Sequence, residues 1–247
     1  MGFFDRLGDA LEGKGRTILY GLAAVLLAAI LVITFVKWRN RKADEARQAL
    51  GRAITIATAD VSETPIPNST EPTFTSEYER AQRAIGEFEK VAAKYGDPYR
   101  AEARYFIASN RLLVDRPKGM TELAELSNSG VPEVAALSKF ALAQAKESDG
   151  KLDEAAQLYG ELAKQNSGGV SAETANLGLA KVYNKMGKKK EAADVLFNIV
   201  DAARKAKDDK NQPAPISAAA RDAASELQKL DPARYAQLPP ETPSLIG

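Results

Sequence analysis

A run of twenty residues without a single charge, Thr17–Val36 (TILYGLAAVLLAAILVITFV), constrains this chain more than any other feature. As a helix it spans about 30 Å, the thickness of a bilayer's hydrocarbon core. Core helices of soluble domains rarely go so far without a charge. A cleavable leader has a shorter apolar core followed by a small-residue cleavage site. Here the run is followed by Lys37, Trp38, Arg39, Asn40, Arg41 and Lys42, with no A-x-A pattern. Cations that snorkel and an indole both suit the headgroup layer. The expectation is one transmembrane helix at 17–38. Lys37, Trp38, Arg39, Arg41 and Lys42 would form the membrane interface, and residues 17–42 the contact with lipid.

Charge leaves the orientation of that helix open. Arg6, Lys14 and Arg16 precede the run, and six basic residues lie between Lys37 and Arg52. The positive-inside rule alone places the following domain in the cytoplasm. Residues 1–42 hold seven basic and three acidic residues, leaving 27 and 30 for residues 43–247, a net of −3. That balance excludes a basic nucleic-acid binder. The chain has neither cysteine nor histidine. Histidine acid–base catalysis, Ser-His and Cys-His nucleophiles and the common zinc sites are therefore out of reach. No catalytic, cofactor-binding or metal site is expected.

Beyond the run, the chain reads as helices. A polar tail occupies 1–16, with Phe3, Phe4, Leu7 and Leu11 at helical spacing. The helix of the apolar run continues through 39–60, because Ala43, Ala46, Leu50, Ile54 and Ala57 hold an apolar stripe and no proline occurs before Pro65. Residues 61–73, with three prolines and no period, read as a loop. Apolar stripes then predict helices over Tyr78–Tyr95, over Ala101–Leu112 (ended by Pro117), and over a short Met120–Leu126. Further helices follow at Pro132–Lys146, Leu152–Gln165, Ala172–Met186, Lys188–Lys207 and Ile216–Leu230. A Pro-rich tail closes the chain at 234–247. Helices of this length with short connections imply antiparallel neighbours.

Two segments repeat. FALAQAKESDGKLDEAAQLYGELAKQ, from Phe140, aligns with LGLAKVYNKMGKKKEAADVLFNIVDA, from Leu177. Each has a turn glycine, Gly150 or Gly187, and five residues later an alanine, Ala155 or Ala192. Tyr159 or Leu196 follows four residues on, then Leu162 or Ile199. A glycine permits the tight turn. The alanine lets two helices approach, and the large residues fill the space towards the next hairpin, so stacking is required. This pattern resembles the tetratricopeptide repeat, with the family's first-helix tyrosine on Tyr183. An earlier second helix matches through Ala84, Phe88 and Val91, and a weaker unit has Ala108 as its small first-helix residue and Met120–Leu126 as its short second helix. The helix ending LQKLDP looks like a cap. The resemblance implies an all-α chain: one N-terminal transmembrane helix, then a tetratricopeptide-like helical-hairpin solenoid over 74–233.

The layout as a whole (short tail, one anchor, Trp-Arg after it, degenerate repeats) resembles the YfgM-like family of ancillary subunits of the SecYEG translocon. That resemblance implies a single-pass protein of the bacterial inner membrane with its repeats in the periplasm, against the local charge bias. It implies a non-enzymatic adaptor or chaperone-like accessory whose partners are the translocon and periplasmic chaperones. A scaffold for envelope or peptidoglycan-synthesis complexes and a cytoplasm-facing assembly adaptor are the alternatives of the same architecture.

Tetratricopeptide arrays bind peptides in a groove lined by first helices. Continued over this chain, the alignment puts Tyr105, Phe140 and Leu177 at one groove position and Ser109, Gln144 and Lys181 at the next. The Lys and Asn pattern that clamps a terminal carboxylate is missing. An apolar stripe with a few polar groups suits a hydrophobic peptide or an amphipathic helix, although the same residues at this spacing also fit a core between hairpins. Lys188-Lys189-Lys190 reads as a solvated turn or an acidic-partner contact. Glu147, Asp153 and Glu154 read as solubilising charge near a turn.

Overall fold

The computed structural model describes residues 15–62, 72–165 and 168–241, without the side chains of 15–24 and 28. The stripe Phe3–Leu11, most of the loop 61–73 and the last six residues of the tail lie outside the described residues. Among the described residues there are ten helices and no strand. They are α1 (Gly15–Ala57), α2 (Glu77–Lys94), α3 (Tyr99–Val114), α4 (Arg116–Leu126), α5 (Pro132–Ser148), α6 (Leu152–Lys164), α7 (Ala172–Lys185), α8 (Lys189–Lys205), α9 (Ala218–Leu230) and α10 (Pro232–Tyr235).

The chain divides into two compact units, Met1–Gly51 and Arg52–Gly247. In the first, the described large apolar side chains of α1 are exposed, from Val25 through Phe35 and Val36 to Trp38. Here the single-pass inner-membrane expectation is corrected: among the described residues, no helix is long and apolar enough to cross a membrane. Of the uncharged run, the described side chains begin at Val25 and end at Val36. Lys37, Trp38, Arg39, Arg41 and Lys42 are the side chains expected at a membrane interface. These five are exposed on α1, with the Lys42 ammonium 4.4 Å from the Trp38 ring centroid.

The second unit is a succession of helical hairpins. From α2 to α10, consecutive helices pack on one another, and α3 also meets α5 as α7 meets α9. Phe88 of α2 stacks on Phe106 of α3 with ring centroids 4.8 Å apart. Ahead of α2, the ends of the Pro-rich segment are tied together. The Ser62 N–H donates to the Phe74 carbonyl at 2.9 Å and the Phe74 N–H to the Asp60 carbonyl at 3.0 Å.

Two turns are built alike. Gly150, between α5 and α6, has φ +75°, and Gly187, between α7 and α8, has φ +77°. A side chain there would strain the backbone, which is why glycine stands at both. The Lys151 N–H donates to the Lys146 carbonyl at 2.9 Å and the Gly150 N–H to that of Glu147 at 3.1 Å. Lys188 to Tyr183 at 2.9 Å and Gly187 to Asn184 at 3.0 Å repeat the scheme. Both are Schellman closures, which satisfy carbonyls that a helix end leaves open.

One pattern runs through the four second helices. A small residue is followed after four positions by a large apolar one and after seven by another. These are Ala84, Phe88 and Val91 in α2; Gly119, Leu123 and Leu126 in α4; Ala155, Tyr159 and Leu162 in α6; Ala192, Leu196 and Ile199 in α8. All twelve are buried. The small residues stand 35, 36 and 37 positions apart. Each large side chain contributes about 1.5–3 kcal/mol by leaving water.

The α4 member corrects the sequence expectation of a break at Pro117 and a helix starting at Met120. The helix starts at Arg116, with Pro117 inside its first turn and the Asp115 carboxylate accepting from the Lys118 N–H at 3.2 Å. Proline is tolerated there because the first N–H groups of a helix have no intrahelical partner. Gly119 is then where α4 meets α3. A Cβ on it would lie 2.9 Å from the Ala108 carbonyl oxygen and 2.7 Å from the Leu112 nitrogen.

Candidate functional site

The first helices α3, α5 and α7 carry the six groove candidates at equivalent positions. Tyr105 is half-buried against the core of Ala101, Ala108 and Leu123, its ring edge-on to Phe106 at 5.3 Å. Phe140 is half-buried where two cores meet, edge-on to Tyr159 at 5.6 Å. Leu177 is buried with Leu196 and Ala220. The three apolar candidates are thus packed between hairpins. Ser109 is half-buried, with its hydroxyl oxygen enclosed and without a hydrogen-bond partner. Gln144 and Lys181 are exposed, 37 residues apart on corresponding turns of α5 and α7. The surface offered by these positions is therefore polar.

Beside Gln144 and Lys181 runs an inter-helix tie. Glu147, on the last turn of α5, accepts from the Tyr159 hydroxyl of α6 at 3.1 Å and pairs with Lys185 of α7 at 2.7 Å. Burial, then the neighbouring Glu147 carboxylate, pushes the Tyr159 phenol above its ordinary range. The phenol stays a donor at any physiological pH. Glu147 therefore joins three helices. The Tyr159 ring is also held from the other side: a Cβ on Gly178 of α7 would lie 2.6 Å from it. The glycine at 178 lets an aromatic ring lie directly on the next helix.

Other charged side chains link neighbouring elements. Lys146 pairs with Glu154 at 2.6 Å and Lys139 with Glu161 at 3.0 Å, both across α5 and α6. These bonds hold the Glu154 and Glu161 carboxyls below their usual range, led in each case by the lysine hydrogen bond. Arg116 of α4 reaches the end of α5, donating to the Ala145 carbonyl at 2.9 Å and pairing with Asp149 at 2.7 Å. Glu102 differs: burial first, then repulsion from Glu133, raises its carboxyl above the usual range. Lys188, Lys189 and Lys190 are exposed, with the Lys188 ammonium 5.8 Å from the Tyr183 ring centroid.

One hollow was not foreseen. A cleft of about 380 Å³ opens between α4, α5 and α6, with Met120, Leu142 and Leu158 as its apolar floor and Lys146 and Glu154 at its rim. No sequence signal marks it, since it is made by how three helices from two hairpins meet. A smaller one of about 220 Å³ lies between α7 and α8, beside Glu173, Asn176 and Asn198.

The described residues define an all-helical protein of repeat-like, hairpin-packed architecture. No protein-family model, curated protein or solved structure matches the chain.

Proposed function

We propose that this chain is a non-enzymatic adaptor whose tetratricopeptide-like array binds partner proteins. The observation that carries the reading is the small–large–large pattern in four successive second helices, 35 to 37 residues apart and buried throughout. A chain that spends its repeat on stacking leaves its first helices free to present side chains along one face. On that face Gln144 and Lys181 are the exposed equivalents, next to the Glu147–Lys185 pair. Polar side chains at these places suit a partner helix or extended segment with carboxylate and amide groups. The resemblance to the YfgM-like family makes protein-export and protein-folding factors the first partners to look for. The proposal includes no placement in a membrane.

The test is Gln144→Glu with Lys181→Glu in the full chain, read by quantitative capture of partners and by thermal melting. Both side chains are exposed, so the melting temperature is expected to stay within about 2 °C of the native value. Loss of at least one captured protein that the native chain retains is the expected result. Unchanged capture of every partner by a folded double variant contradicts the proposal.

A further inference from the structure

The last described stretch, Asp231–Glu241, doubles back over the final hairpin. Helix α10 packs on both α9 and α8, and Leu238 is buried with Leu196, Val200 and Leu227. Proline carbonyls follow it: Leu238 precedes Pro239, Pro240 and Glu241. A proline pair offers no N–H, so such a segment is recognised through its carbonyls and flanking side chains. Arg204 of α8 does this. Its side chain is 7% exposed. One nitrogen donates to the Pro239 carbonyl at 2.5 Å, while the other donates to the Tyr235 hydroxyl at 3.3 Å and lies 3.8 Å from the Glu241 carboxylate. Arginines this deeply buried need partners for their donors. Here the partners are supplied by residues 235–241. The fit is incomplete: a cavity of about 210 Å³, with Ala203, Ile216, Ala224 and Gln228 in its wall and Glu241 on its edge, remains between α8 and α9.

An apolar socket, a buried guanidinium and a chain segment that fills both, leaving a turn at Gln237 and running on through Pro239 and Pro240, are the parts of a peptide-binding site with its ligand in place. We propose that Gln237–Glu241 is a ligand held in cis, and that the α8–α9 face binds in trans an extended segment of a partner protein bearing leucine, prolines and a carboxylate. The trans segment displaces the chain's own. Proline stiffens such segments, which lowers the cost of ordering them. The inference rests on the protein-binding reading for its trans partner. Its cis half stands independently of it.

Two measurements on the full chain test the halves separately. In hydrogen exchange, the Gln237 and Leu238 amides, which donate to the Arg234 and Tyr235 carbonyls at 3.0 and 3.1 Å, are expected to be protected. Arg204→Gln should remove that protection. Free exchange in the native chain overturns the cis half, whatever happens at Gln144 and Lys181. For the trans half, a fluorescent hexapeptide Ala-Gln-Leu-Pro-Pro-Glu is titrated into the native chain and into a Leu238→Ala, Glu241→Ala chain. A tethered competitor acts at an effective concentration of the order of millimolar, so the peptide is expected to bind the double variant at least about tenfold more tightly than the native chain. Adding Arg204→Gln should weaken that binding about tenfold or more. Should that triple variant unfold, a peptide with alanine for its leucine serves instead, with the same loss expected. Equal binding to both chains, absence of binding to either, or indifference to the peptide's leucine overturns the trans half.

Discussion

The hairpins α5–α6 and α7–α8 have the same turn and different neighbours. Their glycines have φ values two degrees apart, and the same backbone groups pair in each. Their second helices place an aromatic ring in one and an aliphatic side chain in the other at the same position. Tyr159 lies against Gly178 and reaches Glu147, whereas Leu196 packs towards Ala220 and Leu227 of α9. The turn is therefore fixed by local rules that any copy obeys, and the packing position is fixed by whatever comes next in the stack. Tyr159 faces another hairpin; Leu196 faces the closing helix and the folded-back segment.

The largest effect expected from this difference is at position 159. Tyr159→Ala removes a fully buried ring from between two hairpins and leaves Gly178 facing a void, at a cost of about 3–5 kcal/mol. Leu196→Ala costs about 2–4 kcal/mol, because the smaller side chain leaves the smaller cavity. Urea denaturation of both variants checks the order. A larger loss at Leu196 would break the assignment of the tighter interface to α6 and α7.

Next come the turns. Gly150→Ala and Gly187→Ala each place a Cβ in the left-handed region, costing about 1–2 kcal/mol, and the two losses should agree within about 0.5 kcal/mol. A disagreement well beyond that, again by urea denaturation, would show that the matched hydrogen bonds do not make matched turns.

The smallest effect concerns charge between hairpins. The α5–α7 junction holds the attractive Glu147–Lys185 pair, whereas Glu102 of α3 faces burial and the repulsion of Glu133 of α5. Because the folded state holds the Glu102 proton more tightly than the unfolded chain, this group opposes folding at neutral pH. The penalty is relieved as pH falls through the raised value. Glu102→Gln is thus expected to raise the melting temperature at about pH 7, with the gain shrinking towards about pH 4. A gain that persists unchanged at acid pH would remove titration as its cause.

The turn glycines were legible in the sequence because a chain reversal of this kind excludes most other residues. The buried face of α6 and α8 was legible for a related reason: helical spacing of apolar residues names a face. The same spacing does not name what that face meets, which is why Tyr105, Phe140 and Leu177 could be groove or core on the page and are packed in the structure. The α4 unit was legible only as a weaker repeat with a short second helix at Met120–Leu126, because glycine stands in for alanine at Gly119 and its turn has no glycine. Proline at 117 also reads as a stop when it is a start. The pattern of four and seven positions after Gly119 was the signal available. The uncharged run misled differently. Its length was judged on twenty residues, and among the described residues no helix reaches the length and apolarity a membrane span needs. Arg204 carried no sequence signal, since its partners lie more than thirty residues away.

The most direct test of the protein-binding account is site-specific photo-crosslinking in living cells from Gln144, Lys181 and Gln157. The first two are exposed equivalents on α5 and α7, and Gln157 is exposed on the second helix α6. The account predicts that Gln144 and Lys181 yield a common crosslinked protein and that Gln157 does not. Equal yields of that protein from all three positions, or none from Gln144 and Lys181, would contradict it.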